Sequence, residues 1–74
     1  MPSLERISID PAVAHGRPVV RGTRMRVADV LSLLAAGATA EELLADYPYL
    51  TPEDVQACLE YAATQADHTV LNAS

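Results

Sequence analysis

Lysine, phenylalanine and tryptophan are missing from this chain of 74 residues, and cysteine occurs once. Each absence excludes something. Three tyrosines are the whole aromatic complement, too few for a platform on which single-stranded bases stack. The lone Cys58 cannot close an internal disulfide, and the only histidines, His15 and His68, stand far apart, so there is no zinc-ligand spacing. No apolar run approaches the roughly 20 residues that span a bilayer. The opening MPSLERISID has neither the apolar stretch nor the early positive cluster of a secretory leader. The expectation is a cytoplasmic chain that needs no cofactor or metal and makes no membrane contact. Without large aromatics its core must come from Leu, Val, Ile and Ala, and so short a chain buries a small fraction of its surface. A homodimer is the expected remedy.

The charges that are present are unevenly placed. All five arginines and two carboxylates lie before Asp29, whereas residues 29–74 hold eight carboxylates and no arginine. Four of the arginines, Arg17, Arg21, Arg24 and Arg26, fall within the single stretch GRPVVRGTRMRV. Residues 4–27 are punctuated by Pro11, Gly16, Pro18 and Gly22, with short β-prone runs between them. RISI and TRMRV alternate, which predicts strands with Ile7, Ile9, Met25 and Val27 on the dry side and Arg24 and Arg26 facing water. The reading is a small basic ribbon of strands and turns.

From Val27 the period becomes helical. Val27, Val30, Leu31 and Leu34 share one face of a first helix that Gly37 closes. Thr39 and Glu42 have the spacing of a capping box at the start of a second helix, which ends before Pro48. Thr51, Pro52, Glu53 and Asp54 open a third, with Val55, Cys58, Leu59, Ala62 and Ala66 on its apolar face. Residues 27–67 thus read as a trihelical unit and residues 68–74 as a flexible tail, all within a single domain of residues 1–74. The fold class is mainly α: short N-terminal strands followed by three helices of helix-turn-helix type, homeodomain-like in arrangement. A mini-bundle without any DNA role fits the same topology, because fold alone does not set function. Of the residues taken as exposed on the third helix, Glu53, Asp54, Gln56 and Glu60, only Gln56 is suited to reading a base edge.

The order of motifs resembles the domain-of-unknown-function 433 family. The resemblance rests on a short strand ending in Asp10-Pro11, the Gly16-x-Pro18-x-x-x-Gly22-Thr23-Arg24 core and a helix closed by Gly37. It continues with the Glu41-Glu42 pair, the Tyr47-Pro48-x-Leu50-Thr51 turn and a last helix, and covers residues 7–63. It implies a helix-turn-helix fold and a VapB-type antitoxin paired with a PIN-like ribonuclease toxin, repressing its own operator DNA. On that reading the candidate DNA contacts are Arg17, Arg21, Arg24, Arg26 and Gln56, and Val70 and Leu71 are candidate contacts for the toxin. Arg24 has an alternative as a structural ion pair with Asp29, Glu41 or Glu42. The competing function is a protein-interaction module that sets its arginine ribbon on an acidic partner and leaves DNA untouched. No nucleophile has a base at workable spacing, and adjacent Glu41 and Glu42 point in different directions on a helix, so an enzyme is not expected.

Overall fold

The computed structural model describes residues 2–68. A 3-10 turn at Pro2–Arg6 leads into β1 (Ile7–Ser8), and a second short turn at Ala14–Gly16 precedes β2 (Val19–Val20). Three helices follow: α1 (Val27–Ala35), α2 (Ala40–Asp46) and α3 (Pro52–His68). The mainly helical class with a small N-terminal sheet is the architecture observed.

β1 and β2 pair antiparallel, Ile7 opposite Val20 and Ser8 opposite Val19. The chain reverses after β2 because Gly22 adopts φ +81, a conformation that costs glycine nothing. Thr23 ties this corner: its Oγ1 donates to the Val20 carbonyl at 2.8 Å and accepts from the Met25 N–H at 3.0 Å. TRMRV does not become a strand. Its pairing is confined to one bridge, Val19 with Arg26, since Arg26 is already the residue before the first turn of α1. The alternation survives in burial, with Met25 and Val27 inside and Arg24 and Arg26 outside. Ile9 departs from expectation and is 60% exposed. β1 stops before it because Asp10 turns the chain, accepting the Ala12 N–H on its carboxylate and the Val13 N–H on its carbonyl.

The helix punctuation follows capping chemistry. Gly37 at φ +106 closes α1 as its own N–H bonds the Leu34 carbonyl and that of Ala38 bonds Leu33, the paired bonds of a Schellman end. Thr39 and Glu42 form the reciprocal capping box of α2, at 2.8 and 3.1 Å. The core gathers Ile7, Val20, Met25, Val27, Val30, Leu43, Leu50, Ala57 and Cys58, with the leucines of α1, Leu44, Tyr47 and Tyr61 around it. On α3, Leu59 is 44% exposed and Ala66 also faces out, whereas Ala57 is fully buried. The inward face is therefore rotated toward Asp54, Ala57, Cys58 and Tyr61. The rotation has a cause in Asp54.

Asp54 is not a surface residue; it is 7% exposed. One carboxylate oxygen accepts the Thr51 N–H at 3.0 Å, while the Asp54 N–H donates to the Thr51 hydroxyl, so the pair caps α3. The other oxygen accepts from the Arg6 guanidinium at 3.2 Å, across 48 positions of sequence. Asp54 thus fastens the start of α3 to the N-terminal turn, against which this helix packs most extensively. Cys58, one helical turn on, feels both effects: burial first, then the Asp54 charge, push its thiol from 9.0 up to about 11.

Two outcomes follow. Asp54→Ala removes the cap and the ion pair together and should lower stability by about 1–3 kcal/mol. Arg6→Ala, whose side chain is 45% exposed, should cost about 1 kcal/mol or less. Urea unfolding midpoints would show the order, and equal losses would remove Asp54 from its central place. Above pH 9 the unfolded chain gives up the Cys58 proton while the folded chain holds it until about pH 11. Stability should therefore fall through that window by up to about 1.4 kcal/mol per pH unit. Cys58→Ala should remove this part of the fall.

Candidate protein-interaction surface

The fold separates the arginines into two groups. Arg6 and Arg21 line one concavity together with Glu5 and Asp54. Both serve the fold's own interior there. Arg21 donates from Nε to the Glu5 carbonyl at 2.7 Å and more weakly toward the Ile7 carbonyl at 3.5 Å, and its backbone N–H bonds the Arg6 carbonyl. A guanidinium spread over two carbonyls acts as a clamp on the N-terminal turn.

Arg17, Arg24 and Arg26 lie elsewhere. Arg24 and Arg26 share a pocket of about 340 Å3 with the loop Ala12–His15, and Arg26 also borders a groove that Arg17 lines. Arg26 therefore stands between the other two on one continuous face. It reaches Asp29 at 3.2 Å in an exposed pair within the first turn of α1. Among the described residues, the guanidinium groups of Arg17 and Arg24 have no ion pair or hydrogen bond. The expected alternative of an Arg24 bond to Asp29, Glu41 or Glu42 is not formed: Asp29 takes Arg26, and Glu42 takes the Thr39 N–H.

His15 joins this face on a bent piece of backbone. Ala14, His15 and Gly16 have φ of +51, +57 and +81, three successive left-handed residues of which only the last is glycine. Holding an alanine and a histidine there costs free energy, on the order of 1 kcal/mol each. The turn is fixed by bonds from Gly16 N–H to Val13 and from Arg17 N–H to Ala14. The sequence marked Gly16 as a turn former but carried no signal for the two residues before it.

The exposed side of α3 presents Glu53, Gln56, Leu59 and Gln65. Gln56 donates to the Glu60 carboxylate at 3.4 Å. With every arginine at or before position 26, none of the three helices carries a cation to neutralise a phosphate. Among the described residues no group of His, Cys, Asp and Glu could hold a metal ion, and no helix is long and apolar enough to cross a membrane. Val70 and Leu71 lie outside the described residues.

Comparison with known proteins places these features in a family context. The chain matches the family model described as protein of unknown function (DUF433) over residues 7–62. It is 40% identical over 58 residues to the uncharacterized protein y4eO of Sinorhizobium fredii, a match that covers 78% of this chain and 26% of that one. The candidate antitoxin VapB45 of Mycobacterium tuberculosis is 40% identical over 57 residues, 77% of this chain and 23% of its own. This chain thus spans about a quarter of the length of these curated relatives. The crystal structure of a DUF433 member from Anabaena variabilis aligns with a TM-score of 0.79 at 36% identity, covering 85% of this chain and 62% of that one. With the family pattern running from β1 well into α3 and a solved member sharing the backbone, the chain belongs to the DUF433 family.

Proposed function

We propose that this protein is a non-enzymatic antitoxin of a toxin–antitoxin pair, acting as a homodimer in the cytoplasm and holding a PIN-like ribonuclease toxin through its arginine face. The observation that carries the reading is the division of labour among the arginines. Arg24, Arg26 and Arg17 gather on one face while Arg6 and Arg21 are spent on the fold. The relative that bears an antitoxin name supports the partner class. Guanidinium groups suit carboxylate partners because their planar fork meets both oxygens at once. An acidic protein surface is therefore the natural counterpart.

Autorepression on operator DNA is the second reading. The free guanidinium groups of Arg17 and Arg24 favour it, since each could neutralise a phosphate. The helix that a trihelical reader places in the major groove argues against it, because the outer side of α3 shows Glu53 and a Gln56 engaged with Glu60. If DNA is bound, attraction must come from the arginine face alone.

Capture of a PIN-like ribonuclease by the full chain tests the first reading. Arg24→Glu and Arg26→Glu should each weaken capture by about tenfold or more, equivalent to ~1.4 kcal/mol, without shifting the melting temperature by more than a few degrees. Capture undisturbed by both changes would sink the reading. In parallel, duplex DNA is titrated across a salt series. A steep slope of log K against log salt that flattens by about one unit per arginine removed would put DNA on this face instead.

A further inference from the structure

We propose that the groove between α1 and the second half of α3 receives Ile9 and Asp10 of a second copy of the chain, and that the reciprocal contact closes a two-fold dimer. This rests on the homodimer included in the reading above and names its interface. The groove has a volume of about 280 Å3 and mainly apolar walls, chiefly Pro18, Val27, Ala28, Leu31 and Tyr61, with Arg17, Arg26 and Gln65 as its polar lining. Leu31 and Tyr61 pack on the core yet remain only partly covered. Neither the Arg17 guanidinium nor the Tyr61 hydroxyl has a partner among the described residues.

Such a groove calls for an apolar side chain next to a carboxylate, and the chain displays that pair. Among the described residues Ile9 is the most exposed of the large apolar side chains, at 60%, and Asp10 follows it. One Asp10 oxygen is held by the Ala12 N–H, which fixes the carboxylate beside Ile9 and leaves the other oxygen for Arg17 of the second copy. The position of this pair also fits the symmetry. Ser8 pairs with Val19, so one step further along the same register brings Ile9 beside Pro18, a wall of the groove. A knob and the hole it fits, side by side on one face, are the requirement of an isologous contact, in which each copy gives what it receives. The contact closes on itself and covers an exposed isoleucine at the end of a two-residue strand.

Light scattering on the full chain at micromolar concentration should give the mass of two copies. Ile9→Ser removes the knob and Ala28→Trp fills the hole; both positions are exposed, so each variant should keep the helical spectrum and melt cooperatively. Each alone should run as one copy or dissociate at least ten times more readily. Mixed, they should recover a dimer in part, because one intact knob then meets one intact hole. A photo-crosslinking residue at Ile9 should attach to the α1 or α3 peptide that carries Leu31 or Tyr61 in the other copy. A parent of one-copy mass removes the homodimer from the proposed function and this interface with it. A two-copy mass unchanged in both variants, or crosslinks to any other surface, keeps the homodimer and overturns the interface. Arg24→Glu, outside the groove, should leave the mass unchanged whatever it does to ribonuclease capture, so the two readings fail separately.

Discussion

Everything in this fold leans on a buried carboxylate. Asp54 begins α3, and a residue at that place would ordinarily point to solvent and favour the positive end of the helix dipole. Here it does more, because one oxygen is used on its own helix and the other on Arg6. The arginine bond is weak when counted alone, since its outer half is wet. Its position gives it importance. A chain with no phenylalanine or tryptophan has few large side chains with which to lock an N-terminal turn onto a helix. The polar joint and the Arg21 clamp supply the direction that packing alone would not.

That economy explains the polarity of the molecule. Two arginines are consumed in holding the first residues down, and three are left on a face of their own. The helices carry most of the negative charge, and Glu41, Glu42, Asp46 and Glu53 present it outward. A protein with a net formal charge of −5 thus keeps a local concentration of positive charge beside predominantly acidic helices.

Local chemistry was legible in the sequence, and long-range pairing was not. Thr39 with Glu42, the Gly37 stop and Thr51 with Pro52 depend on neighbours within four positions, and each stands where the residues place it. The burial of Met25 and Val27 follows from alternation even though no strand forms around them. Ile9 and Leu59 mislead because their patterns match their neighbours, while the turn at Asp10 and the inward swing of Asp54 decide their exposure. Nothing in the sequence distinguishes the arginines that serve the fold from those that face outward. That depends on which carbonyls and carboxylates the folded chain brings near, 14, 16 or 48 positions away.

The span of the Arg6 bond has a consequence in time. Contacts between distant positions form late, after the intervening chain has lost its freedom. The N-terminal turn gains its dock on α3 only once Asp54 has been synthesised and that helix has started. A chain truncated within α2 would carry every arginine of the full protein and keep the local Arg26–Asp29 pair, yet lack the carboxylate that holds Arg6. The same logic runs in reverse during degradation: a protease that trims the first six residues strips Asp54 of its distant partner and removes the Glu5 carbonyl that Arg21 holds.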